Sequence, residues 1–343
     1  MQREVMRLGV RVIAAASAVG KKEAEGPLGD LFDKKDETDR FGSQTWEAAE
    51  SNMQKTAFET VLCKGKCEDR DVDALFAGDL LNQCVGSAYG LLGFDIPYFG
   101  LYGACSTCAE GLLLASMTVA GGRGRLCGAV TSSHYCAAER QYRTPLEYGA
   151  QRPPTAQWTV TGSGAFLVGN EEWEQAPDVY GVRITRGMPG KVLEKGIRDA
   201  NNMGAAMAPA AQNTLIRFFE ATRERPQNYD LIVTGDLGFE GGSILEELMR
   251  AAKYPLGERY ADCGQLIYYR KAQDIHGGGS GCGCSAVVLA SYLLPRLAKG
   301  ELRRILFLST GAMMSPDSIK QGQSIPAVAH LLELEAAPCA PGR

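Results

Sequence analysis

Two stretches decide the fold: Gly103-Ala-Cys-Ser-Thr-Cys-Ala109 and Gly281-Cys-Gly-Cys-Ser-Ala286. Each opens a long apolar segment closed by glycine. From Ala104 to Gly122 the only charge is Glu110, and from Gly277 to Leu294 there is none. A helix apolar on every side is buried on every side or lies in lipid. Glu110-Gly111 inside the first segment and Pro295 at the end of the second argue against a membrane span, as does the lack of any apolar run of ~18–20 residues. Two buried helices lying together between two sheets are therefore predicted, in a five-layer α-β-α-β-α stack.

The flanking sequence repeats around these turns. Val72-Asp-Ala-Leu-Phe-Ala-Gly-Asp-Leu80 is echoed by Tyr229-Asp-Leu-Ile-Val-Thr-Gly-Asp-Leu237, and Gly124-Arg-Leu-Cys-Gly-Ala-Val-Thr-Ser-Ser133 by Arg303-Arg-Ile-Leu-Phe-Leu-Ser-Thr-Gly311. Three matches in one order, at a spacing of roughly 160–180 residues, read as an internal duplication. The alternative is the strand–glycine–helix punctuation that any two α/β halves share.

Short β-branched runs alternate with helical patterns, as a layered α/β fold requires. In the first half, strands are expected near 5–16, 73–77, 97–102, 125–131 and 158–168, with helices near 44–63, 82–92 and 106–120. The second half gives strands near 179–186, 230–235, 265–269, 303–309 and 326–335, with helices near 206–223, 242–253 and 283–298. Residues 1–170 and 171–335 then form two pseudo-symmetric halves. Charged, glycine-rich residues 21–42 are expected to be an exposed loop, Arg- and Pro-rich 134–157 a polar excursion, and 336–343 a frayed tail.

Composition sets the outer limits. With 343 residues, 45% hydrophobic and 22% charged, the chain can bury a large core, which excludes disorder as its main state. The formal net charge of −4 supplies no field that would draw it onto nucleic acid or acidic lipid. Charges come too early, and the following apolar run is too short, for a cleaved signal peptide. A soluble protein, at most peripheral to a membrane, is expected. Eleven cysteines in mostly core-like surroundings fit a reducing compartment better than a disulfide framework.

Cys105 is the first candidate for chemistry. At a helix N-terminus the dipole and free N–H groups favour a thiolate and can hold an oxyanion or carboxylate beside it. A small packing residue is the equal alternative. A nucleophile needs a base. His134 follows a strand end and His276 precedes Gly277-Gly-Gly-Ser-Gly, so either is a candidate, whereas His330 sits in an apolar strand as an interior residue. Asp79 and Asp236 end equivalent strands at the crevice where open α/β sheets bind ligands, or else serve as turn partners. The glycine-rich turn lacks the pattern of a phosphate loop. Cys63 with Cys67 and Cys105 with Cys108 make a weak case for zinc or redox chemistry, and no metal is expected.

Gly103-Ala-Cys-Ser-Thr107 within duplicated halves resembles the thiolase and ketoacyl-synthase superfamily. More closely, Phe76-Ala-Gly-Asp-Leu-Leu-Asn-Gln83, Phe99 to Thr107, Ser132-Ser-His134, Ala138-Glu-Arg-Gln141, Glu147-Tyr-Gly149, Thr159-Val-Thr-Gly-Ser-Gly-Ala165, Met203-Gly-Ala-Ala-Met-Ala-Pro-Ala210 and Gly278-Gly-Ser-Gly-Cys282 resemble the stage V sporulation protein AD family. The resemblance spans nearly the whole chain, with residues 21–42 and the C-terminal tail matching poorly.

It implies a protein of endospore formers that binds dipicolinic acid, pyridine-2,6-dicarboxylate, alone or as its calcium chelate. Such a protein serves uptake into the developing spore and release at germination. It is associated with the inner spore membrane alongside other stage V membrane proteins, without spanning it. Homodimerisation through a sheet edge is expected from the superfamily.

Cys105 matches the superfamily's nucleophile. Condensing enzymes add a His after the strand that here ends in Thr234-Gly-Asp-Leu237 and a His or Asn in the glycine-rich turn. Here those places read Gly235-Asp-Leu and Gly279-Ser-Gly, which removes the general acid and base. A non-catalytic binding scaffold is therefore expected. Its pocket would use helix N-termini at Cys105-Ser106-Thr107 and near Gly279-Ser280, with Ser133, His134, Arg140, Arg143 and Ser163 as further contacts and Asp79 and Asp236 facing a calcium chelate through water. The alternative is a live acyltransferase or condensing enzyme using Cys105 with His134 or His276.

Overall fold

The computed structural model describes residues 4–142, 151–171, 173 and 181–337. Ten strands carry the architecture: β1 Met6–Val19, β2 Ala74–Gly78, β3 Tyr98–Leu101, β4 Leu126–Ser133, β5 Gly162–Gly169, β6 Val182–Met188, β7 Leu231–Thr234, β8 Tyr260–Asp262, β9 Arg304–Ala312 and β10 Ala327–Ala336. Their order is β8-β7-β9-β10-β6-β1-β5-β4-β2-β3. On one side β2 pairs parallel with β3 and β4, β4 antiparallel with β5, and β5 antiparallel with β1. On the other, β7 with β8 and β9, β9 with β10, and β10 with β6 repeat those senses strand for strand.

The two sets meet where β1 bonds β6 antiparallel, so they share one hydrogen-bonded path. Strand β1 changes partner along its length. Met6–Val12 faces β6 and Arg11–Val19 faces β5, with a register shift between Arg7 and Val10, where Gly9 sits at φ +62°. A bulge of this kind bends a strand and lets the sheet turn over.

The layers follow from alternation along strands buried on both faces. In β9, Ile305 and Phe307 join the central core while Leu306 and Leu308 join an outer one; in β5, Phe166 and Val168 point to the centre and Ala165 and Leu167 outward. Helix α1 (Trp46–Gly65) covers the first outer face through Met53, Phe58 and Val61. The short helix α2 (Val85–Gly90) follows β2. Helices α5 (Met203–Thr222) and α6 (Gly238–Ala251) lie on the second outer face.

Between the sheets run α3 (Thr107–Ala120) and α7 (Cys282–Val288), the latter buried throughout and continued by a π turn at Leu289–Leu293 and a helical turn at Leu294–Ala298. Pro295 has no N–H for the helical ladder, and the wide turn lies just ahead of it. The fold is the expected α-β-α-β-α stack, with the two apolar helices in its centre, Glu110 being the one charge they carry.

Two expectations fail. Residues 265–269 do not form a strand: the edge strand is Tyr260–Asp262, and Cys263–Leu266 is a helical turn. Residues 21–42 are not simply an exposed loop. They contain a helical turn at Lys21–Ala24 and a two-residue strand, Lys34–Lys35, and they bury Glu23, Leu28 and Phe32. The excursion from 134 starts as helix α4 (Tyr135–Tyr142). No helix among the described residues is long and apolar enough to cross a membrane.

Candidate functional site

The turn into α3 is an elbow. Ala104 lies in the left-handed region at φ +50°, unusual for a residue with a Cβ. Thr107 holds it there: its hydroxyl donates to the Ala104 carbonyl at 2.7 Å and accepts from the Gly103 N–H at 3.0 Å. The Ser106 hydroxyl donates to the Gly103 carbonyl at 2.7 Å. Strand β9 passes so close that a Cβ on Gly311 would come within 2.3 Å of the Gly103 oxygen. Ser106 and Thr107 thus build the turn, and Cys105 at its tip faces a recess.

Across that recess Cys105 Sγ lies 3.7 Å from Ser280 Oγ. The Ser280 hydroxyl donates to Asp236 Oδ2 at 3.0 Å, the Gly281 N–H to the same oxygen at 3.2 Å, and the Thr310 hydroxyl to Oδ1 at 2.7 Å. Asp236 is fully buried, and burial pushes its carboxyl up to about 6 despite these donors. Burial, and then the Asp236 charge, drives the Cys105 thiol well above its usual value. Behind Asp236, Asp262 accepts from Thr234 Oγ1 and the N–H groups of Leu237 and Gly238, and burial raises it to about 7. A thiol so placed is protonated at neutral pH, the reverse of an activated nucleophile.

The other sequence candidates lie elsewhere. The Asp79 carboxylate accepts from the N–H groups of Leu81 and Ser87 and from the Ser87 hydroxyl, as a turn partner. The Ser133 hydroxyl donates to the Val160 carbonyl and accepts from the Gly283 N–H, tying β4 to α7. His134 is buried with Nε2 2.7 Å from the Asp39 carbonyl, its ring against Trp46, and burial lowers its pKa. His276 bonds the Pro153 carbonyl and Asp274. His330 is half-buried, with Nδ1 accepting from the Gly190 N–H. No His lines the recess among the described residues.

Arg140 pairs with Glu47, and Arg143 lies outside the described residues. Ser163 lies on β5 beside Gly162 and Gly164, which abut Val287 and Ala286 of α7; it therefore points to the other face, away from the recess. Gly279 contributes its carbonyl, which accepts from the Gln157 side chain at 3.1 Å. The anticipated helix N-terminal donors are largely occupied: Ser106 N–H bonds Gly103, Gly281 N–H bonds Asp236 and Gly283 N–H bonds Ser133. The ten described cysteines are free thiols, and no group of His, Cys, Asp and Glu among the described residues is arranged to hold a metal.

Sequence reasoning missed most of the wall. Glu139 and Tyr142 come from one face of α4, Gln157 and Thr159 from the segment paired with Gly279-Ser280, and Asn201 and Met203 from the start of α5. Glu139, Thr159 and Met203 fall within strings that carry the family resemblance, but the sequence singles out none of these as a site residue; the Glu139–Tyr142 spacing of one helical turn is the available signal. The recess holds about 100 Å³, room for roughly three waters at ~30 Å³ each.

A thiol elbow between two like-wound halves, with both central helices starting at one recess, is the thiolase-like arrangement, and solved structures agree. OleA from Xanthomonas campestris aligns over 96% of this chain and 99% of its own with a TM-score of 0.59 at 14% identity. Its cerulenin-bound form gives 0.60. The 3-oxoacyl-(acyl carrier protein) synthase III FabH of Xanthomonas oryzae gives 0.57 at 13% identity, over 95% and 99%. Within that class the model of the stage V sporulation protein AD family matches residues 2–335. The stage V sporulation protein AD of Bacillus subtilis (strain 168) is 43% identical over 326 residues, 95% of this chain and 94% of its own. The chain belongs to that family.

Proposed function

We propose that this protein is a non-catalytic receptor on an acyl-transfer scaffold, binding dipicolinic acid or its calcium chelate in the recess at Cys105. It would serve movement of that compound into the forming spore and its release at germination, at the periphery of the inner spore membrane with other stage V proteins. One observation supports the non-catalytic reading: the groups facing the Cys105 thiol are the Ser280 hydroxyl and the buried Asp236 carboxylate rather than an imidazole, and that carboxylate opposes ionisation of the thiol. Family membership supports the sporulation role.

Calorimetry of dipicolinate with and without calcium, beside incubation with acyl-CoA and intact-mass measurement, tests the reading. Saturable dipicolinate binding without an adduct is expected; an acyl adduct that disappears in Cys105→Ala, with no dipicolinate binding, overturns it. The enzyme alternative is favoured by the strained Ala104, since a held left-handed residue is a feature of functional turns.

A homodimer belongs to the same proposal. Among the described residues strand β3 bonds only β2, and Phe99 and Tyr98 on that edge are 53% and 39% exposed. A second copy pairing there would cover both.

A further inference from the structure

We infer that the ligand enters the recess together with a proton, which Asp236 takes up and which turns the Ser280 hydroxyl away from Asp236 and toward the ligand. The inference rests on the dipicolinate reading above. Ser280 lines the recess, and Asp236 lies behind it, fully buried. The Ser280 hydroxyl donates to Asp236 Oδ2 at 3.0 Å, and its oxygen lies 3.7 Å from the Cys105 sulfur.

A hydroxyl has one proton to give and two lone pairs. While Asp236 is ionised, that proton is committed to it, so Ser280 presents only lone pairs to the recess, and these repel an incoming carboxylate. Protonation at Oδ2 reverses the bond: the acid donates to Ser280 Oγ, and the serine proton is free to point at the ligand. The remaining donors keep their places, since Oδ2 can still accept from the Gly281 N–H and Oδ1 from the Thr310 hydroxyl. One proton passes from solvent to Asp236, and no other covalent bond changes.

Charge favours the same exchange. A dianion in the recess adds negative charge close to a buried carboxylate, which raises that carboxylate's affinity for a proton. The titratable groups facing Asp236 are Cys105 from the elbow, Asp262 and Cys263 from β8 and its turn, and Cys284 from α7, while Glu139 stands in the recess wall. Burial keeps the three thiols protonated, and Asp262, when ionised, adds a second charge of the same sign. Asp236 already titrates at about 6, so a modest further push leaves it protonated at neutral pH.

Titration calorimetry of the full chain with sodium dipicolinate in calcium-free phosphate and Tris buffers counts the protons, because the two buffers differ in heat of ionisation. The ligand's own carboxyls are ionised throughout the range used. At pH 7.5 the wild type is expected to take up about one proton per ligand, falling toward none at pH 5, with affinity weakening by up to about tenfold per pH unit above 6. Asp236→Asn is expected to abolish the uptake and level the affinity across pH. Ser280→Ala gives a second variant, which with the wild-type proton count decides the matter if Asp236→Asn does not fold. It is expected to weaken binding about tenfold at pH 5, where the hydroxyl serves the ligand, and little at pH 8.

No proton uptake by the wild type at pH 7.5, uptake that persists in Asp236→Asn, or equal losses at both pH values in Ser280→Ala overturns the inference while leaving the receptor reading intact. Failure of the wild type to bind dipicolinate at any pH defeats both.

Discussion

Asp236 is the residue on which the site turns, because its buried carboxylate gathers Ser280, Gly281 and Thr310 and sets its charge against the Cys105 thiol. Removing its charge should relax the thiol it opposes. Asp236→Asn is expected to speed alkylation of Cys105 by iodoacetamide at pH 8 by about tenfold for each pH unit by which the thiol's pKa falls, read by peptide mass mapping. An unchanged rate would mean that burial alone protects the sulfur. Asp262 carries a pH signature. Its folded value, about 7, stands above its ordinary 3.8, so between these limits the folded state keeps a proton that the unfolded chain releases. Stability from this group is complete below about pH 4 and is lost as pH rises to 7. Urea melts should therefore show Asp262→Asn gaining on the wild type by roughly 2–4 kcal/mol from pH 4 to 8; a constant gap would refute the assignment.

The elements show where sequence was legible. The central helices could be read because nothing but complete burial accommodates an uncharged run such as Gly277 to Leu294. The edge strand could not: Gln265-Leu-Ile-Tyr-Tyr has strand composition, yet Ile267 and Tyr268 are buried as packing for Gly279 and Glu23, while Tyr260-Ala-Asp262 pairs with β7. Burial can recruit an apolar run without the hydrogen bonds of a strand. The 21–42 segment misled in the opposite sense, since its charges hide Glu23, fully buried against Tyr268, 245 residues away in the chain. Cys105, Ser280 and Asp236 stood out because the duplication marked their turns, whereas Glu139 and Asn201 reach the recess only through tertiary placement. Packing between β5 and α7 gives an element-scale prediction. A Cβ on Gly164 would lie 2.7 Å from that of Ala286, so Gly164→Ala should cost about 1–3 kcal/mol in a urea melt. A neutral result would mean that helix and sheet slide apart freely.

For the whole molecule, the exposed β3 edge makes oligomeric state measurable. If a second copy pairs there, Phe99→Asp should convert a dimer to a monomer in sedimentation velocity with the melting temperature little changed; a monomeric wild type would rule the pairing out. The union of β1 with β6 has another consequence. Because one backbone ladder stitches the halves together, neither is a natural cutting point for a truncated protein. A fragment beginning after residue 181 would bare the whole flank of β6 as an unsatisfied, apolar template, and such a piece should clump unless it is made together with its missing complement.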